Sequence, residues 1–241
     1  MSEENTMKDL THSKVLVIGG SSGIGAATAE AFAARGAQVT IASRNAAKLD
    51  AVARRIGVQT AILDTTDEAA VSTFFATAGT FDHVVISAAQ TPGGPVRQLE
   101  LTDAYVAMDS KFWGAYRVAR HVSIKAGGSL TLVSGYLSGR PSKASVLQGA
   151  INAALEALSR GLALELSPVR VNTVSPGLIA TPLWSKLSEE ARQAMYEGAA
   201  ARLPAQVVGQ PEDVANAIIY LASTPYSTGS TVLVDGGASI V

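Results

Sequence analysis

The sequence predicts a doubly wound α/β fold: a mostly parallel sheet, helices on both faces, one domain. Three observations predict it. Short β-branched runs alternate with helix-like segments along the chain, a glycine-rich turn joins the first such pair, and 241 residues form one substantial core without requiring a second. Right-handed crossovers between parallel strands then place helices on both sides of the sheet.

Taken in order, Lys14–Ile18 (KVLVI) is the apolar run that a buried parallel strand needs. Ala26 to Arg35 (AATAEAFAAR) lacks Gly and Pro and sets Phe32 and neighbouring alanines on one helical face. Further strands are predicted at Gln38–Ser43, Val58–Leu63, Val84–Ser87, Ser129–Ser134, Val169–Val174 and Thr231–Val234. Helices are predicted at Asp67–Thr77, Asp103–His121, Ser142–Leu166 and Asp213–Leu221. The stretch 182–204 breaks the alternation, and an insert of this length is either a surface excursion or functional. Residues 1–12 (MSEENTMKDLTH) read as a mobile polar arm ahead of a domain spanning 13–241.

Composition narrows the function classes. Hydrophobic residues make up 47% and charged residues only 16%, so much of the surface is small or apolar, which favours self-association. A net charge of −1 gives no pull toward nucleic acid or an anionic membrane. The absence of cysteine excludes disulfides, thiolate metal sites and cysteine nucleophiles. His12, His83 and His121 have no metal-ligand spacing, so no metal is expected. The N-terminal residues lack the basic start and apolar stretch of a secretory signal, and no run is long enough to span a membrane. The expectation is a cytoplasmic protein acting on a small molecule.

The turn Ile18-Gly19-Gly20-Ser21-Ser22-Gly23-Ile24-Gly25 carries the first chemistry. Its glycines permit a tight bend and close approach of backbone to a ligand, and the following helix presents free N–H groups to a phosphate. Gly19, Gly23, Ile24 and Gly25 are therefore candidates for a dinucleotide pyrophosphate, with Ser21 and Ser22 as further donors. The second strand ends Ala42-Ser43-Arg44-Asn45, without the carboxylate that would bond a ribose 2′-hydroxyl. Ser43 and the planar fork of Arg44 favour a 2′-phosphate, hence NADP(H) over NAD(H). Alternatively Arg44 is a solvated cation, although the start of a helix disfavours one.

The spacing Gly-x-x-x-Gly-x-Gly resembles that of the short-chain dehydrogenase/reductase superfamily, which usually has Thr where Ile18 stands. The resemblance runs from about Lys14 to Gly237 and implies a nicotinamide dinucleotide cofactor. It assigns adenine binding to Asp64-Thr65, although Asp64, Thr65, Thr66 and Asp67 also have the character of a helix cap. Ile86-Ser87-Ala88-Ala89 stands where the family usually has Asn-Asn-Ala-Gly, so Ser87 and Ala88 keep small residues beside the cofactor but the paired asparagines are gone. Pro176-Gly177-Leu178-Ile179-Ala180-Thr181 matches the motif that faces the nicotinamide, with Thr181 on the carboxamide or a phosphate. Arg170-Val171-Asn172 and Asp235-Gly236-Gly237 match as well. The resemblance further implies a homo-oligomer, dimer or tetramer, built on the helices 103–121 and 142–166, and a substrate lid at 182–204.

The catalytic half departs from the family pattern of Tyr, Lys, Ser and Asn. Ser142-Lys143-Ala144 is out of register for the usual Ser-Lys-Ala. Anchoring on Arg160-Gly161-Leu162-Ala163-Leu164-Glu165-Leu166 puts Gln148 at the Tyr position and Asn152 at the Lys position. The Ser position falls on Ser134 or Gly135, and Lys111 stands where Asn belongs. Gln148 has no proton to give near neutral pH. Asn and Lys look exchanged between two helices, so Lys111 either enters the site or snorkels to solvent. Tyr136 is either a second source of a hydroxyl or a wall of the substrate pocket. The expected activity is an NADP(H)-dependent oxidoreductase acting on a carbonyl/alcohol pair with an altered proton-transfer apparatus. Two alternatives stay open: an idle NADP(H)-binding sensor or inactive oligomer partner, and a non-redox enzyme on the same scaffold.

Overall fold

A computed structural model describes residues 7–241. Strand β1 (Lys14–Ile18) pairs in parallel with β2 (Gln38–Ser43) on one side and β4 (Phe81–Ile86) on the other. A strand flanked on both edges and covered on both faces must be apolar at successive positions, and Val15 to Ile18 are all buried. With β3 (Gln59–Ile62), β5 (Ile124–Val133), β6 (Arg170–Pro176) and β7 (Thr231–Val234), the described residues form one sheet in the order β3-β2-β1-β4-β5-β6-β7. Every pairing is parallel.

Alternation along β1 divides the core in two. Leu16 and Ile18 face a layer that includes Val71 and Phe75 of α3 (Glu68–Ala78), Val118 of α5 (Gly114–His121) and Leu155 of α6 (Val146–Glu165). Val15 and Val17 face Phe32 of α1 (Gly23–Ala33), Leu49 of α2 (Ala46–Ile56) and Ile218 of α8 (Pro211–Ser223). The helices thus lie on both sides, as the alternation predicts.

Several boundaries move. The helix expected at 103–121 is three pieces: α4 (Leu101–Met108), a turn of π-helix over Asp109–Trp113, then α5. The long helix starts at Val146 because 142–145 form a turn, with Ser145 N–H donating to the Ser142 carbonyl. Helix α2 appears where no element was predicted; the Asn45 side chain caps its start and Gly57, at φ 70°, ends it. The insert 182–204 contains a short 3₁₀ turn and α7 (Glu189–Ala200). Of the expected mobile arm, residues 1–6 lie outside the described residues. The rest is fastened: Lys8 N–H donates to the Ser223 carbonyl at 2.8 Å, and Leu10 is buried in the core.

Candidate active site

In this strand order the connections after β1 and β2 step outward to β2 and β3, whereas the one after β3 crosses back to β4 on the other side of β1, so a crevice opens at the carboxyl ends of β1 and β4. The glycine turn lies on that crevice. A Cβ added at Gly25 would stand 2.2 Å from the Gly19 carbonyl oxygen, and one at Gly19 would stand 2.6 Å from the backbone nitrogen of Ala88. No side chain is tolerated at either point, and Gly19 and Gly23 adopt φ of 89° and 51°. Ser22 occupies the cap position of α1 but makes no side-chain cap bond, unlike Asn45 at α2 and Asp67 at α3. A close-packed glycine cradle under a helix start that no side chain caps suits the pyrophosphate of a dinucleotide.

The other cofactor candidates gather around this turn. Ser87 donates its hydroxyl to the Ile18 carbonyl, and its oxygen and Ala88 press on Gly19. Thr181, just after the Pro176-Gly177 bend and the buried Ile179, packs over Gly23. Arg44 is exposed at the end of β2 and donates to the Gln90 side chain at 3.0 Å. Ser43 accepts from Asn45 N–H, and Ser21 is half-buried on the glycine turn. Asp64 accepts from both N–H and hydroxyl of Thr66, while Thr65 is buried against Gly114. Burial pushes the Asp64 carboxyl up, but the Thr66 bonds and the Arg44 and Arg117 charges outweigh it and hold it below its usual range. The cap of α3 is Asp67, not Asp64.

The matching motifs at Asn172 and Asp235 are scaffolding. Asn172 is wholly buried, donating to the Ser227 carbonyl and accepting from Ser230 N–H. Asp235 accepts from the N–H groups of Gly237 and Ser239. Among the described residues no three His, Asp or Glu side chains form a group that could hold a metal ion.

The π turn re-aims the helix that carries Lys111, since an extra residue per turn rotates the remainder of the helix about its axis. The Lys111 ammonium enters the site and donates to two acceptors at 2.7 Å each, the Ser134 carbonyl and Asn152 Oδ1. Burial drives its pKa down to about 8, with a smaller opposing pull from the Glu156 carboxylate. The snorkelling alternative is therefore not the geometry found. Asn152 is itself buried on α6, and Gly135 leaves room for it: a Cβ there would lie 2.8 Å from Asn152 Nδ2.

Of the two positions considered for the family serine, Gly135 faces Asn152. Ser134 turns its hydroxyl away and donates to Glu156 Oε1 at 2.9 Å. A hydroxyl whose proton is so engaged can still accept, but it cannot donate to a carbonyl oxygen. Sequence reading missed Glu156, although it completes the i, i+4, i+8 face of α6 with Gln148 and Asn152, and Ser138 donates to it too. Gln148 Nε2 donates to the Thr91 carbonyl at 2.9 Å, which ties the loop after β4 to α6 and leaves its second N–H. Tyr136 opens a 3₁₀ turn and lines a groove toward α7.

A parallel sheet with this strand order, a glycine cradle at its switch point and polar side chains converging beside it define a nucleotide-dependent α/β enzyme scaffold. A family model described as "Enoyl-(Acyl carrier protein) reductase" matches residues 19–239. A "Short-chain dehydrogenase/reductase" of Stachybotrys chlorohalonatus is 32% identical over 96% of this chain and 99% of its own length. The D-erythrulose reductase of Gallus gallus is 33% identical over 93% and 94%. A solved small-chain dehydrogenase in complex with NADPH superposes with a TM-score of 0.82 at 36% identity, covering 95% of this chain and 99% of that one. The chain belongs to the short-chain dehydrogenase/reductase family of oxidoreductases.

Proposed function

We propose that this chain is an NADP(H)-dependent oxidoreductase interconverting a carbonyl and an alcohol, with Lys111 handling the proton. The observation that carries this reading is the enclosed Lys111 ammonium, held by the Ser134 carbonyl and Asn152 at a pKa of about 8. An ammonium has three donors, so one remains for a substrate oxygen. A general acid works best when its pKa lies near the working pH.

The nicotinamide, when bound, gives or takes hydride. The chain does the rest. Gly19, Ser21, Ser22, Gly23, Ile24 and Gly25 hold the pyrophosphate, Ser43 and Arg44 the 2′-phosphate, and Asp64 and Thr65 the adenine end. Ser87, Ala88, Pro176, Gly177, Ile179 and Thr181 wall the nicotinamide. Asn152 positions Lys111, the free N–H of Gln148 orients the substrate oxygen, and Tyr136 bounds the substrate space under the 182–204 lid. Ser134 acts through its carbonyl, as a positioning residue. The NADPH-bound relative and the absence of a carboxylate at the end of β2 support the choice of NADP(H).

NADPH absorbance followed over a panel of ketones and aldehydes tests the reading. Turnover that falls sharply in Lys111→Met supports it. Tight NADPH binding without consumption of any carbonyl selects the idle cofactor binder, the reading that the engaged Ser134 proton favours. A homo-oligomer is also proposed: Leu101, Tyr105, Val106, Trp113 and Tyr116 are exposed along α4, the π turn and α5, and Val146 and Leu164 on α6. Sedimentation showing a monomer at micromolar concentration would overturn it.

A further inference from the structure

We infer that the groove bordered by Tyr136 and Arg202 binds an oxyanion, a carboxylate or phosphate carried by the substrate. The groove encloses about 480 Å³. Its walls come from the loop after β5, the end of α7 and the C-terminal residues. Arg140 and Lys143 contribute from the loop and Arg202 from just beyond α7. No Asp or Glu side chain lines it, in a chain whose 19 basic and 20 acidic residues nearly balance.

The three cations are also unpaired. Among the described residues none makes an ion pair, although Arg55, Arg117, Arg120, Lys125 and Arg192 all have carboxylate partners. The terminal residue Val241 borders the groove and joins no ion pair with them. Like charges gathered around one concavity repel, and an oxyanion placed among them removes that repulsion. Guanidinium groups approaching from two elements are also suited to fork-like recognition of carboxylate or phosphate oxygens.

The groove's position gives this binding a purpose. Tyr136 stands two residues beyond Ser134, whose carbonyl holds Lys111, and Leu178 follows the Pro176-Gly177 bend. An anion anchored here would hold a carbonyl-bearing substrate by its far end, and such remote binding energy serves to orient the reacting end. This inference deepens the oxidoreductase reading and rests on it for its meaning, but it is tested by binding.

The experiment uses matched pairs on the NADP⁺-loaded protein: 4-oxopentanoate against its methyl ester, and dihydroxyacetone phosphate against dihydroxyacetone. Calorimetry should show the anionic member of at least one pair binding about tenfold tighter or more, with a preference that shrinks as salt rises. Which pair responds separates carboxylate from phosphate. Arg140→Gln combined with Arg202→Gln should abolish the preference, and NADPH affinity reports that the variant is folded. No preference in either pair, or a preference that survives the double substitution, overturns the oxyanion site. Equal turnover of charged and neutral members would sink the site while leaving the oxidoreductase reading standing. An anion preference without NADPH turnover would do the reverse.

Discussion

Replacing Lys111 by Met tests the chemistry at its most exposed point. Folding lowers the Lys111 pKa from 10.5 to about 8 because burial penalises the charged form. At neutral pH that shift costs the folded state about 3 kcal/mol. Met removes this cost but leaves the Ser134 carbonyl and Asn152 Oδ1 without their donor, at about 1–3 kcal/mol each. The two effects oppose, so stability at pH 7 should shift only between a gain of about 1 and a loss of about 3 kcal/mol. The unfolded chain keeps this proton up to higher pH than the folded one, so wild-type stability should rise between pH 8 and 10.5, and that rise should vanish in the variant. Activity should respond very differently, with kcat/KM falling by about 10²–10⁴ as expected for loss of a positioned acid. Lys111→Arg separates charge from proton transfer, since a guanidinium stays protonated and should keep NADPH affinity without restoring a pH–rate limb near 8. Denaturant melts and steady-state pH profiles on the three proteins suffice. A Lys111→Met enzyme with kcat/KM within about threefold of wild type and an unchanged pH profile would refute the reasoning.

Arg44→Ala should weaken NADPH binding by about tenfold to a hundredfold, the worth of a charge-assisted bond, and leave NADH unaffected; fluorescence titration giving equal losses for both would count against a 2′-phosphate site. Gly25→Ala drives a Cβ against the Gly19 carbonyl and should cost about 1–3 kcal/mol in melting experiments, with loss of NADPH binding. His83, buried and held down to about 4 by burial and then by the Arg170 charge, is neutral in the fold. Its proton goes preferentially to the unfolded chain between pH 6.5 and 4, so stability should fall by about 3 kcal/mol across that window. A His83→Gln variant with the same acid-side decline would show that the loss comes from other groups.

Most of the sheet was legible because buried parallel strands leave no freedom of composition. Gln38–Ser43 and Thr231–Val234 are found with the predicted ends. The start of β4 was not, because Phe81-Asp82-His83 breaks the apolar run. Asp82 accepts from Lys14 N–H and Lys125, and His83 Nδ1 meets the Ser129 hydroxyl, so these polar groups are paired where only the tertiary structure could pair them. Helix α2 was legible but unread. Only Leu49 is fully buried, yet Leu49, Val52, Ala53 and Ile56 form an i, i+3, i+4, i+7 stripe against the core between the Asn45 cap and the Gly57 stop.

The site divides along the same line. Its glycine turn could be read because steric exclusion dictates glycine at Gly19 and Gly25, and the proposed choice of NADP(H) turns on the absence of one carboxylate at the end of β2. Its proton-handling half depends on where side chains point, and two features that decide this have no local signature. The π turn that aims Lys111 inward is a one-residue change in helical register. The direction of the Ser134 hydroxyl is set by Glu156, twenty-two residues on. Exchange of a lysine and an asparagine between two helices keeps the ammonium and the amide in contact while changing which backbone carries each. The pair follows from the sequence register, whereas the burial that lowers the Lys111 pKa to about 8 has no local signature. Burying the Lys111 charge costs the fold about 3 kcal/mol and its two hydrogen bonds return a comparable amount, so stability by itself does not account for a lysine at this place.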